Sequence, residues 1–373
     1  MNEIESLTDL RNARRLVIKV GSALLVEGGR PRTEWLATLA AEIAELRLHA
    51  EVIVVSSGAI ALGATRLGLA KGGRGSLADA QAAASVGQVE LARLWSDALG
   101  AHGITAAQML VTLGDLEDRR RYLNASATLA RLLEAGAVPV VNENDSVATE
   151  EIRFGDNDRL AARVAQAAGA DAVLLLSDVD GLYDRDPREA GATLVERVAG
   201  VTPEIIAMAS GASSSGLGSG GMAAKLQAAR IAERAGIALA IVNGTYPSPI
   251  GRALDRGLGT LFTAQAQASA RKAWLGGRLA PAGVLVVDAG CMSALDRGAS
   301  VLAAGVTEIE GEFVRGDLVA IHGPKGERLG QGLVEYTSEE CRAIIGLRED
   351  DQAEPLGYAP RAAVVHRDHM VRA

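Results

Sequence analysis

LVIKVGS, residues Leu16 to Ser22, runs apolar through Val20 with a single lysine inside it and stops at a glycine. A run this short, rich in β-branched residues and without polar alternation, suits a strand covered on both faces. Runs of the same kind recur at Val52–Val55, Ala137–Val141, Ala172–Leu176 and Ile237–Val242. Between them lie stretches of helical period, such as Glu34–Leu48, Leu116–Ala135 and Met222–Ala235. This β-then-α rhythm predicts an α/β fold, an open and mostly parallel sheet sandwiched by helices. Ligands of such sheets gather at the carboxyl ends of the strands, so the polar residues that follow each run are the first candidates for a site.

The text changes near residue 264. Ala264–Ala282 mixes polar repeats, a Gly pair and a Pro, and reads as a linker. From Gly283 onward, short runs at Val284–Val287, Leu318–Ile321 and Gly332–Tyr336 are punctuated by glycines, which predicts a small β-rich module. The expected division is therefore a catalytic domain over 1–263, a linker over 264–282 and a C-terminal domain over 283–373, in keeping with a length of 373 residues. At 48% hydrophobic and only 3% aromatic, the core must be packed from Ala, Val, Leu and Ile. The formal net charge is -8, and Gly283–Arg361 alone carries 14 acidic against 7 basic residues. That balance opposes a nucleic-acid or anionic-membrane partner. Cys291 and Cys341 form no CxxC pair, so neither a disulfide framework nor a metal cluster is expected, and a reducing cytoplasm is the default. The opening MNEIESLTDL lacks the basic and apolar regions of a signal peptide, and no apolar run reaches the ~18 residues of a spanning helix.

The residues at the strand ends fall into a pattern. Lys19-Val20-Gly21-Ser22 would hold an ammonium and close-approaching backbone N–H groups over the sheet edge, a layout suited to phosphate; a lysine that merely caps a strand is the plainer reading. Ser56-Ser57-Gly58-Ala59-Ile60 presents free amides at a strand-to-helix turn, or is an ordinary turn with a Ser cap. Asn142-Glu143-Asn144-Asp145 places four polar residues after a strand, either a solvated loop or a recognition site for an ammonium or other hydrogen-bonding group. Gly155-Asp156-Asn157-Asp158 precedes the helical stretch Arg159–Ala168 and holds more polar groups than one cap needs. Ser177-Asp178 follows another strand, and either bonds a nucleotide or starts the turn. Gly216-Leu217-Gly218-Ser219-Gly220-Gly221-Met222-Ala223-Ala224-Lys225 is a Gly/Ser loop running into a helix. It fails the dinucleotide-binding context, because no strand precedes it, and it lacks the Gly-Lys-Ser/Thr of a P-loop. Its amides and Lys225 suit phosphate oxygens. Two lysines, glycine-rich strand ends and an acid fit phosphoryl transfer, which needs positioning and charge neutralisation and no covalent residue.

The segments IKVGS, VVSSGAIALG, PVVNENDSVA, FGDND, LLLSDVDGLYDRDPR and SGLGSGGMAAKLQAA, in this order over Leu16–Phe262, resemble the amino-acid kinase family. Within it they resemble the branch that acts on glutamate. The likeness continues through Arg271-Lys272-Ala273-Trp274 into a C-terminal segment similar to a PUA domain, a small β-rich pseudo-barrel, ending in AVVHRDHM. The resemblance implies transfer of the γ-phosphate of ATP to the side-chain carboxylate of L-glutamate, giving γ-glutamyl phosphate, the first step of proline biosynthesis. It implies catalytic roles for Lys19, Lys225 and Asp158, the lysines stabilising the moving phosphoryl group and the acid organising them. It implies glutamate binding by Ser57, Asp145 and Asn157, and ATP binding by Lys19, Ser177, Asp178 and the segment Ser219, Gly220, Gly221, Met222, Ala223, Ala224, Lys225. Ser177 and Ser219 stand where threonine is common in that family, and both keep the hydroxyl. Mg²⁺ would be held mainly by the ATP phosphates, with no dedicated protein metal site. Further expectations are feedback inhibition by proline, delivery of the labile product to a γ-glutamyl phosphate reductase, a homo-oligomer (dimer or tetramer), a cytoplasmic location, and no membrane or nucleic-acid partner.

Two other functions remain open on the sequence. One keeps the fold and changes the acid: an N-acetylglutamate, aspartate, carbamate or uridylate kinase. The other is an RNA-binding or RNA-modifying protein acting through the PUA segment, which the acidic balance of that segment opposes.

Overall fold

The computed structural model describes residues 4–147, 156–211, 221–264 and 281–372. The chain divides into two compact units, one of residues 1–117 and 125–266 and one of residues 118–124 and 267–373.

The strands of the first unit are β1 Arg15–Val20, β2 Val26–Glu27, β3 Arg30–Pro31, β4 Glu51–Ser56, β5 Ala106–Val111, β6 Val138–Glu143, β7 Ala172–Ser177, β8 Arg197–Val198, β9 Ala238–Asn243 and β10 Thr260–Phe262. All but the small β2–β3 hairpin join one eight-stranded sheet in the order β5-β6-β4-β1-β7-β9-β10-β8. The pairs from β5 through to β9 are parallel. β10 runs antiparallel to β9, and β8 pairs parallel with β10. Each apolar run expected to be a strand is one, and together they form the middle of the sheet. The flank β5 was not legible: AAQMLV is alanine-rich and only half-buried. The three-residue β10 and two-residue β8 are too short to announce themselves.

The helices are α1 Ser22–Leu25, α2 Thr33–Leu46, α3 Ala59–Leu67, α4 Leu77–Gly100, α5 Leu113–Glu117, α6 Arg119–Glu134, α7 Asp156–Ala168, α8 Pro203–Gly211, α9 Met222–Arg234 and α10 Pro249–Arg256. Leu16, Ile18 and Val20 of β1 share one core with Trp35 and Leu39 of α2, Leu91 and Trp95 of α4, and Ile250 and Leu254 of α10. Strand alternation sends Val17 and Lys19 to the other face, where α7 packs on β1 and against α9. Two tryptophans also anchor strand ends, as buried indoles need acceptors. Trp95 Nε1 donates to Ser56 Oγ at 2.9 Å, and Trp35 Nε1 donates to the Gly244 carbonyl at 2.9 Å.

Two expectations need correction. The helix read over Leu116–Ala135 is two helices, because Asp118 starts a new one. Its carboxylate accepts from the Arg121 N–H at 3.0 Å, and its carbonyl accepts from the Tyr122 N–H at 2.8 Å, which is N-cap chemistry. The helix expected from Arg159 begins at Asp156. Asn157 and Asp158 therefore sit inside its first turn instead of capping it.

The second unit holds the strands β11 Gly283–Val287, β12 Val306–Gly311, β13 Leu318–His322, β14 Arg328–Val334 and β15 Val365–Arg372. They form a five-stranded sheet in the order β12-β11-β13-β14-β15. Only β11 and β13 pair parallel. Its core gathers Leu285, Val287, Val319, Ile321, Val334, Tyr336, Ile344 and Val365. Cys291 and Cys341 are both buried free thiols, and burial pushes the Cys341 thiol up to about 12. Among the described residues no helix is long and apolar enough to cross a membrane. The linker expected over 264–282 lies almost wholly outside the described residues.

Helices α3 and α4 meet through glycine. A Cβ on Gly63 of α3 would lie 1.8 Å from the Ala83 carbonyl oxygen, and one on Gly87 of α4 would lie 1.8 Å from that of Ala59. The two backbones touch, so neither position admits a side chain without parting the helices. Gly87→Ala should lower the unfolding free energy by about 1–3 kcal/mol through overpacking, measured by urea titration followed by circular dichroism.

Candidate active site

Because β1, β4, β6, β7 and β9 are parallel, their carboxyl ends share one edge of the sheet. That edge carries Lys19-Val20-Gly21, Ser56-Ser57-Gly58, Asn142-Glu143, Ser177-Asp178 and Asn243. Gly58, at φ 119°, is the one among them whose backbone requires glycine.

Lys19 projects from the penultimate position of β1 toward α7 and α9. Asp158 lies in the first turn of α7, and Lys225 in the first turn of α9. The three side chains meet: Lys19 Nζ is 2.6 Å from Asp158 Oδ1, and Lys225 Nζ donates to Asp158 Oδ2 at 3.2 Å. Asp158 is 0% exposed, Lys19 7% and Lys225 8%. Burial lowers the Lys19 ammonium below the usual lysine value; Asp158 counteracts this, while Lys225 adds to it. Burial by itself would raise the Asp158 carboxyl, but the two ammonium groups outweigh burial and hold it below the usual carboxylate range. Two ammoniums against one carboxylate leave a net charge of about +1 in a nearly dry place. An unbalanced buried charge is costly, and a polyanion is the ligand that relieves it.

α9 adds to this attraction. Gly221 precedes its first residue, and among the described residues no side chain caps its first N–H groups. The Ala224 N–H is taken by the Gly221 carbonyl at 3.1 Å, so Met222 and Ala223 bring the open amides of the helix start beside Lys225, a natural seat for an anion. Ser219 and Gly220 lie outside the described residues, as do Phe154 and Gly155. Ser177 is buried and its hydroxyl donates to Asp178 Oδ1 at 3.1 Å. The charge of Asp178 also acts on Lys19.

Beside the charged triad is a neutral cluster. Asn157 Nδ2 donates to Ser57 Oγ at 2.6 Å and to Asn142 Oδ1 at 3.1 Å. Asn142 Nδ2 donates to Gln88 Oε1 at 2.9 Å. Ser57 and Asn157 were singled out from sequence. Asn142 was seen only as part of a polar run, and Gln88 was not seen at all. No motif marks it inside the long α4, although its spacing beside Gly87 was available. Asp145 is half-buried and its charge acts on the Arg74 guanidinium; the hydrogen bonds just described do not include it.

A pocket of about 200 Å³ opens one strand further, lined by Asp180, Tyr183, Asn243, Tyr246 and Arg252 among others. Asn243 is the β9 partner of Ser177. Its Nδ2 donates to Asp180 Oδ1 at 3.0 Å. The Arg252 guanidinium lies 4.1 Å from the centre of the Tyr246 ring. Among the described residues no group of three or more His, Cys, Asp or Glu is placed to hold a metal ion.

Comparison with known proteins places the chain in a family. The model of the Amino acid kinase family matches residues 14–243, and that of the PUA domain matches residues 283–354. A curated relative named "Glutamate 5-kinase" from Novosphingobium aromaticivorans is 64% identical over 373 residues, covering 100% of this chain and 99% of the relative. Relatives of the same name from Sphingopyxis alaskensis and Zymomonas mobilis are 61% and 55% identical. They cover 96% of this chain each, and 97% and 91% of their own lengths.

The lowered Asp158 carboxyl has a signed consequence. A depressed folded-state value contributes stability that is complete above the unfolded value of 3.8 and lost as pH falls through the lowered one. Below about pH 4, the wild-type unfolding free energy should fall more steeply with acid than that of an Asp158→Asn variant. Urea titrations at a series of pH values measure the difference.

Proposed function

The chain belongs to the glutamate 5-kinases of the amino acid kinase family, and from that premise we propose how its residues divide the work. The enzyme transfers the γ-phosphate of ATP to the side-chain carboxylate of L-glutamate, giving γ-glutamyl phosphate and ADP at the head of proline biosynthesis. The whole-length relatives carry this reading and not the RNA-directed alternative.

The acceptor is already an anion at neutral pH, so no general base is needed. The obstacle is bringing one anion against another. Asp158, bridging Lys19 and Lys225, is the observation that carries the proposal. In this role Asp158 holds the two ammoniums apart and aimed, and they take up the charge that spreads over the phosphoryl oxygens in transfer. The uncapped start of α9 adds N–H donors for the phosphates. Because both Asp158 oxygens face lysines, this acid is not free to bind a metal; Mg²⁺ arrives as Mg-ATP, carried by the triphosphate. Ser177 and Asp178 hold the nucleotide, and the adjoining pocket with Tyr246 and Arg252 takes its base and ribose. Ser57, Asn157 and Asp145 hold the amino-acid end of glutamate. Proline, which shares the carboxylate and a cationic nitrogen with glutamate, would compete for that end. The acyl phosphate product is prone to hydrolysis, so a reductase that consumes it is the natural partner. A homo-oligomer in the cytoplasm, where ATP and free glutamate are abundant, completes the proposal.

The test compares wild type with Lys225→Ala in glutamate-dependent release of ADP from Mg-ATP. The variant should lose about 10²–10³-fold in kcat while its circular dichroism spectrum stays that of the folded protein. Turnover with another acid in place of glutamate would reject the substrate. A variant of unchanged rate would remove Lys225 from the chemistry.

A further inference from the structure

We propose that Gln88 of α4 is a positioning residue that sets which end of each amide faces the amino-acid substrate, and so selects a free α-ammonium. The inference rests on the glutamate reading above and adds to it a residue and a rule of selection.

A carboxamide has two opposite ends, an acceptor oxygen and a donor NH₂, and its partners decide which end faces the ligand. Gln88 offers its oxygen to Asn142 Nδ2 at 2.9 Å. With its NH₂ drawn that way, Asn142 turns Oδ1 toward Asn157 and accepts from it at 3.1 Å. The second N–H of Asn157 goes to Ser57 Oγ at 2.6 Å. Both donors of Asn157 are then used. Its Oδ1 is buried and has no hydrogen-bond partner among the described residues. Ser57 Oγ, having accepted, keeps its own O–H to donate.

The cluster therefore shows the substrate one bare acceptor next to one free donor. An ammonium has donors and no acceptor, and a carboxylate has acceptors and no donor. Side by side on one carbon, they are the α-groups of an unmodified amino acid. An N-acylated acid brings a single uncharged N–H to the acceptor and an acyl group with no place in the pairing. A buried carbonyl oxygen left unpaired costs binding free energy, so the free amine is preferred.

Gln88 is held well for this role. Its neighbour Gly87 lies backbone to backbone on α3 at Ala59, two residues beyond Ser57. Relay and receiver thus share one rigid contact. Remove the Gln88 acceptor and Asn142 is free to turn over. Asn157 would then follow, aiming NH₂ at the ammonium it should receive.

Steady-state kinetics on the full-length enzyme test this with Gln88→Met, which has similar bulk and no strong acceptor, Gln88→Ala in case methionine is not accommodated, and Gln88→Glu, which can only accept. Met and Ala should raise the KM for glutamate about tenfold or more, leave the KM for Mg-ATP within about twofold, and narrow the preference for glutamate over N-acetylglutamate. Gln88→Glu should stay near wild type. In an Asn142→Asp background, where the carboxylate can only accept from Asn157, Gln88→Met should have no further effect. An unchanged glutamate KM in both Met and Ala variants, equal damage from Met and Glu, or a full Met effect in the Asn142→Asp background overturns the proposal. Absence of glutamate-dependent turnover in the wild type would instead reject the substrate reading itself.

Discussion

One carboxylate clamped between two ammoniums sets the terms for the rest of the first unit. Asp158, Lys19 and Lys225 come from three elements, and each must arrive in register. β1 must place its lysine on the face that α7 and α9 cover. α7 must begin early enough to put Asp158 in its first turn. α9 must begin where Lys225 falls in its first turn. These are separate requirements on separate stretches of chain, and a one-residue slip in β1 would turn Lys19 into the opposite core. The surplus positive charge is the result of this agreement, and it gives the fold an electrical appetite for a triphosphate before any substrate is bound.

The two parts of the proposed site work by different physics. Around Asp158 the groups are charged and the strength of the field matters. In the cluster proposed for the amino acid, Ser57, Asn142, Asn157 and Gln88 are neutral, and the direction of each hydrogen bond matters instead. A chain of amides distinguishes donor from acceptor while carrying no net charge. Asn157 and Asp158, adjacent in sequence, point into the two regions and so hold them at a fixed separation.

The middle of the sheet was readable because strands buried on both faces must be apolar throughout, and such runs stand out against amphipathic helices. Its margins were not, since β5 is alanine-rich and half-exposed and β10 is three residues long. Asp118 looks like any polar residue of an amphipathic helix until its carboxylate is seen capping the next one. The run from Asp156 to Asp158, expected to precede the helix with more polar groups than a cap needs, is the helix's own first turn. Both lysines were legible because charged residues at a strand end and in a glycine-rich helix start are chemically conspicuous. Gln88 was hidden for the opposite reason. A glutamine in a long helix is unremarked in sequence, and only the proximity of β6 to α4 gives it meaning.

The glycine contact between α3 and α4 has a consequence for how such a site can change over time. Two helices that touch through their main chains leave no slack for sliding or rocking, so the wall of the proposed amino-acid site behaves as a fixed gauge. A lineage that came to prefer a longer or bulkier acid could not widen this wall by easing the helices apart without first losing stability. It would have to recut the side chains that face the cavity, one amide at a time. The smallest residue in the code thereby ties the width of that wall to the stability of the fold.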